Sequence, residues 1–154
     1  MGGVLLLLHL LGVVLWVGGM GFGVMALRPS LAALDAPTRL GLMGRVHTKF
    51  FRIVWVAMPL VVLSGYLLMF GVHGGFRGVT WPIHVMHLLG LIMAGIFATI
   101  WFGPYKKLMR ALAEGAAGLP LAAASNESIR KLVGINFTLG VIAIAMGAFW
   151  QYAE

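Results

Sequence analysis

The chain has 154 residues, of which 61% are hydrophobic and only 10% are charged, and its mean hydropathy is +1.00. Soluble domains carry roughly 25% charged residues, so this composition excludes an ordinary water-soluble domain and indicates an integral membrane protein. The formal net charge is +7 and cysteine is absent. Without thiols the chain can form neither disulfides nor iron–sulfur clusters nor thiolate metal sites.

Four uncharged stretches divide the chain, and each is long enough to cross the hydrocarbon core of a bilayer at roughly 20 residues per helix. They cover residues 4–27, 53–72, 82–102 and 132–152. The connections between them are short, which favours an up-down-up-down arrangement of neighbouring helices. We therefore predict an all-α integral membrane four-helix bundle, formed by residues 1–154 as a single domain.

The basic residues predict the orientation of this bundle. Ten of the eleven lysines and arginines fall in the segments after the first and third spans, and only Arg77 falls after the second. The positive-inside rule places both basic segments in the cytoplasm and both termini outside, as in a multi-pass protein of the bacterial inner membrane. Because these residues flank spans and show no nucleic-acid motif, we assign them to topology and anionic lipid. His47 lies among them and is expected to face solvent or headgroups.

Proline and serine positions predict where the helices begin and end. The first span is expected to end at Arg28-Pro29, because proline disfavours helix in the residue before it. Pro82 suits the first turn of the third span, where a missing N–H has no cost. The third span is expected to end at Gly103-Pro104, and Ser125 resembles the cap of the fourth helix.

Small and polar residues inside the spans predict how the helices pack. Gly19 and Gly23 form a small-xxx-small pair that allows close approach of membrane helices, and Pro59 predicts a kink in the second span. Three polar residues are expected to form hydrogen bonds between helices: Ser64, Tyr66 and Asn136.

The tetrapeptide His-Leu-Leu-Gly occurs twice, at His9–Gly12 in the first span and at His87–Gly90 in the third. A histidine in a span usually faces the bundle interior and has a partner or ligand. Both histidines lie about 7–8 Å below the predicted outer boundary, and each glycine lies one turn along the same face, where a flat group could approach the backbone. Equal depth on diagonal helices suits two axial ligands of one planar cofactor. We therefore predict a haem b, bound by His9 and His87, with Gly12 and Gly90 beside it.

Further residues have alternative roles around such a haem. His84 lies one turn outward of His87 and could replace it as the ligand, or contact a haem propionate together with Arg77. Trp16 lies two turns inward of His9, where it packs either against the macrocycle or in the core. The function implied is electron transfer or redox chemistry at the outer surface, with a quinone or small redox partner. The sequence leaves open whether the protein is an enzyme.

Copper is the alternative to haem. Met69, Met86 and Met146 approach the outer third of the bundle, and thioethers together with His9 and His84 suit copper(I). Methionines at helical spacing also fill irregular gaps in a core. A third alternative, an assembly or lipid-contacting subunit, leaves two interior histidines unexplained. The expected partners are the lipid bilayer and, in a homo-oligomer, a second copy of the chain.

Five segments resemble CopD-type copper-resistance membrane domains over essentially the whole chain: HLLGVVLWVGGM, LRPSL, KFFRIVW, VMHLLGLIMAGIFATIWFGPY and IRKLVGINFTLG. The resemblance implies a four-span architecture and copper uptake or tolerance. The spacing of His9, Gly12 and Trp16 is also similar to the first helix of HemJ-type protoporphyrinogen oxidases, which implies porphyrinogen oxidation as another alternative. Those proteins are associated with a lysine near the start of the third helix, and here no lysine lies between Lys49 and Lys106.

Overall fold

Four long helices form the protein in a computed structural model that describes residues 2–149 and 152. They are α1 (Gly2–Ser30), α2 (Ala36–Gly71), α3 (Trp81–Ala113) and α4 (Gly115–Phe149), each long and apolar enough to cross a membrane. Within these described residues there is no strand. The prediction of an all-α membrane four-helix bundle is confirmed. The predicted end of the fourth span, residues 150–152, lies largely outside the described part.

The helices pack chiefly as two pairs, α1 against α2 and α3 against α4, and α2 also contacts both α3 and α4. Two names describe the ends of this bundle below. The basic end carries residues 28–49 and 105–131, and the terminal end carries Gly2 and Phe149. Which end faces the cytoplasm stays a prediction.

Helix α2 is longer than the roughly 20 residues that a bilayer span needs, and it begins at a side-chain cap. The Asp35 side chain accepts a hydrogen bond of 3.1 Å from the backbone N–H of Thr38, which satisfies one of the free donors of the first turn. This bond holds the pKa of the Asp35 carboxyl below its usual value. The helix then continues for 36 residues, through Pro59, to Gly71.

Two predicted helix ends are wrong. Helix α3 does not end at Gly103-Pro104, because Trp101–Tyr105 form a π-helical turn and the helix continues to Ala113. The wider turn tolerates the missing N–H of Pro104. Helix α4 begins at Gly115, whose φ of +63° permits the reversal after α3, and Ser125 is buried inside it.

The largest part of the apolar core lies towards the basic end. It includes Trp16, Met20 and Phe51, together with residues of α3 and α4. Gly19 confirms the predicted close packing, because a Cβ there would collide with the Phe50 ring. Gly23 does not, because no described residue of another helix lies within 4 Å of its Cβ position.

Candidate metal centre

His9 approaches α2 from α1 and is held there by two hydrogen-bond partners. Its Nδ1 lies 3.0 Å from the Val61 carbonyl oxygen and 3.1 Å from the Ser64 hydroxyl oxygen. The Ser64 hydroxyl itself donates to the Leu60 carbonyl. Since a carbonyl only accepts, the proton of a neutral His9 ring lies on Nδ1, and its Nε2 keeps a free lone pair.

His87 on α3 has the same tautomer for a different local reason. Its Nδ1 lies 3.1 Å from the carbonyl oxygen of Ile83, one turn earlier in the same helix. Its Nε2 is buried and has no hydrogen-bond partner among the described residues. The ring of Tyr66 on α2 packs edge-on against it, with 5.1 Å between centroids. His87 therefore presents an unpaired lone pair inside the bundle.

Gly65 of α2 brings the two imidazoles together. A Cβ at this position would lie 3.2 Å from Cε1 of His9 and 3.6 Å from Nε2 of His87. The imidazole rings from α1 and α3 thus both lie against the backbone of Gly65. A larger residue at this position would occupy part of the space between them. Two nitrogens that share a metal ion lie about 4 Å apart, at twice the usual metal–imidazole bond of about 2 Å.

Helix α2 supplies the part of this arrangement that sequence reasoning missed. The predicted interhelical hydrogen bond of Ser64 is confirmed by its contact with His9, whereas no role is predicted for Val61 or Gly65. The available signal is the Ser64-Gly65 pair of small residues in the middle of an apolar span, where small side chains mark close helix contacts.

The three residues expected beside a haem, Gly12, Gly90 and Trp16, differ from one another in the space around them. A Cβ on Gly12 would lie 2.6 Å from Cγ2 of Val61 and 3.2 Å from the Ala57 carbonyl oxygen, so α2 fills the space expected for a flat group. At Gly90, none of the described residues outside the adjacent turns of its own helix places an atom within 4 Å of the corresponding position. Trp16 is 2% exposed and belongs to the apolar core, in agreement with the second of its two alternatives.

His84 and Arg77 lie at the exposed terminal end. The ring of His84 stacks on Phe76, with 6.0 Å between centroids, whereas Gly65 lies beside His9 and His87. The structure therefore pairs His9 with His87 rather than with His84.

The three methionines that are the alternative copper ligands lie towards the terminal end of the bundle. Met69 is buried on α2, the Met86 sulfur lies 3.2 Å from the Cβ position of Gly147, and Met146 lines a shallow pocket with Trp81 and Pro82. In the described part of the chain, no group of three or more His, Cys, Asp or Glu residues could hold a metal ion.

The expectation that His47 faces solvent or headgroups is wrong. Its side chain is 5% exposed and stacks on Phe51, with 5.3 Å between ring centroids. The reason is the early start of α2 at Ala36, which makes His47 part of a long helix with an inward face.

Comparison with known proteins identifies the family. Residues 44–150 match the family model of copper resistance protein D, a region that contains Gly65 and His87. No match is found among curated proteins or among solved structures. The matched region covers well over half of the chain and agrees with the four apolar helices of a multi-pass membrane protein. The chain belongs to the copper resistance protein D family.

Proposed function

We propose that the protein binds copper(I) inside the bundle through His9 and His87, as a step in copper uptake or tolerance. Family membership supports copper as the cargo. The observation that carries the proposal is the position of both imidazoles against Gly65, with each Nδ1 bonded to a backbone carbonyl.

The hydrogen bonds of the two rings are those of metal-ligating histidines. Such a residue typically donates its second N–H to a carboxylate or a backbone carbonyl, which fixes the tautomer and the direction of the ring. The carbonyls of Val61 and Ile83 accept these bonds here. Imidazole suits copper, and the absence of cysteine means that no thiolate competes for the ion.

Haem b held by the same two histidines is the second candidate, with electron transfer to a quinone or small redox partner as its function. The open space at Gly90 favours it, since a macrocycle needs room along α3. The contact of Gly12 with Val61 disfavours it, because α2 fills the corresponding space beside α1. Porphyrinogen oxidation is less favoured than either candidate, because the third helix contains no lysine until Lys106.

Metal analysis of the protein purified in mild detergent tests the proposal. We expect copper(I) to bind without a haem absorption band, and we expect His9→Ala and His87→Ala each to remove the ion held by the pair. His84→Ala is the matched control and should keep it, because that ring stacks on Phe76 at the exposed end. Stoichiometric iron, with a low-spin haem spectrum that His9→Ala and His87→Ala abolish, would replace copper by haem.

A further inference from the structure

A second set of soft ligands lines a pocket in the basic half of the bundle. The pocket has a volume of about 160 Å³ and lies between α1, α2 and α4. Most of its lining is hydrocarbon. The exceptions are two thioethers, one imidazole and one guanidinium, from Met20, Met43, His47 and Arg28.

The imidazole of His47 lacks the hydrogen bond that a buried nitrogen needs. The side chain is 5% exposed, and its Nδ1 has no partner among the described residues. A buried water typically has two to four polar partners, and here the only polar side chains that line the pocket are His47 and Arg28, the minimum number. An unsatisfied buried polar atom of this kind requires an explanation, and a bound ion is one that the soft ligands beside it would suit.

The two methionines are placed to share a ligand with His47. Met43 and His47 are four residues apart on α2, so their Cβ atoms lie about 5–6 Å apart on one helix face. Met20 reaches the same pocket from α1, and both methionines are buried, at 2% and 6% exposed for Met20 and Met43. Each sulfur is carried on three rotatable bonds, so it can adjust its distance to an ion.

We propose that Met20, Met43 and His47 bind a second copper(I) ion, roughly 20 Å from the His9–His87 pair along the bundle. Thioether and imidazole ligands select copper(I), whereas calcium and magnesium require oxygen ligands, which these three side chains lack. The inference rests on the proposed function, because it names a second position for the same cargo. It would give the copper a binding site in each half of the membrane.

Arg28 sets the strength of this second site. Its positive charge lies on the pocket lining and opposes a cation. Arg130 and Glu127, which form an ion pair with each other, act on Arg28 with opposite signs. A binding site on a transport route must release its ion, and a nearby positive charge favours release. Arg28→Gln should therefore tighten copper(I) binding at this pocket, by a factor of two or more. An anionic ligand in the pocket would be weakened by the same change.

Anaerobic titration of the full chain with copper(I), against a coloured copper(I) chelator, tests the inference. We expect two ions per chain in the unchanged protein and one in the Met20→Leu/Met43→Leu variant, in which leucine conserves volume. The matched control is Met25→Leu, since Met25 is on α1 but 72% exposed, and it should keep both ions. His47→Gln provides a second variant with the same expected loss of one ion.

The reciprocal variants separate this inference from the proposed function. His9→Ala/His87→Ala should remove the other ion and leave the pocket ion bound. If the Met20→Leu/Met43→Leu and His47→Gln proteins both melt as the unchanged protein does and still bind two ions, the second site is refuted. The second site is also refuted if Arg28→Gln leaves copper binding unchanged and releases a bound phospholipid. If only the pocket binds copper, the proposal for the histidine pair fails while the pocket remains.

Discussion

Gly65→Ala tests the closeness of the two histidines to α2. The new methyl carbon would lie 3.2 Å from Cε1 of His9 and 3.6 Å from Nε2 of His87. The first contact is tighter than ordinary van der Waals contact, so the His9 ring must move by a few tenths of an ångström. That ring is fixed by the Val61 carbonyl and the Ser64 hydroxyl, so the movement weakens at least one of these bonds.

The size of the effect follows from these contacts. Loss of one hydrogen bond costs about 0.5–1.5 kcal/mol, and a factor of ten in affinity corresponds to about 1.4 kcal/mol. Because the methyl group also occupies space between the rings, we expect copper(I) affinity at the pair to fall about tenfold or more. Alanine is a better helix former than glycine by up to about 1 kcal/mol, which offsets the strain, so the unfolding temperature should change little.

Chelator competition for copper(I) and thermal unfolding in detergent measure the two quantities separately. Gly41→Ala is the matched control, because it is also inside α2 and no atom lies within 4 Å of its Cβ position. It should leave copper binding unchanged. Equal copper affinity in the Gly65→Ala and Gly41→Ala proteins would refute the geometry of the site.

Three further predictions concern the fold and its orientation. Gly12→Ala should destabilise the protein by about 1–3 kcal/mol, as overpacking does, because its Cβ would lie 2.6 Å from Cγ2 of Val61. Gly18→Ala is the control and should not destabilise it, because there is open space at that Cβ position. Equal melting temperatures of the two variants would contradict this packing. Asp35→Ala should lower stability at neutral pH. Because the pKa of Asp35 is lowered, the carboxylate stabilises the fold above its ordinary unfolded pKa and ceases to do so as the pH falls through its folded value. The stabilities of the variant and the unchanged protein should therefore converge in acid. A stability difference that stays constant across this pH range would exclude the charge as the cause. A reporter fused after residue 154 should be active only outside the cytoplasm, and cytoplasmic activity would reverse the topology.

The sequence predicts the four helices well because the required length of an apolar run is set by the bilayer. Where the helices stop at the basic end is harder to predict, because charged residues outside the membrane can belong to a continuing helix or to a loop. Pro104 stops a regular α-helix but not one that widens into a π-helical turn, and Ser125 has a capping sequence but lies inside α4.

Only part of the candidate site can be predicted from the sequence. The repeated His-Leu-Leu-Gly indicates His9 and His87 because polar residues in a span are costly. The Ser64-Gly65 pair indicates a close helix contact but not which rings lie there, since that depends on how α1 and α3 both meet α2. For the same reason the sequence predicts His47 to be a surface residue in a basic segment. In the structure the long helix α2 places its side chain in a pocket with Met20.

X-ray absorption of the copper(I)-loaded protein tests the central claim most directly. The Met20→Leu/Met43→Leu variant is the right sample, because it removes the sulfur ligands proposed for the pocket. The account predicts two nitrogen neighbours of copper at about 2.0 Å, the usual metal–imidazole distance, and their loss in the additional His87→Ala variant. Sulfur neighbours at about 2.3 Å would contradict it and assign the copper to one of the remaining methionines, such as Met69, Met86 or Met146.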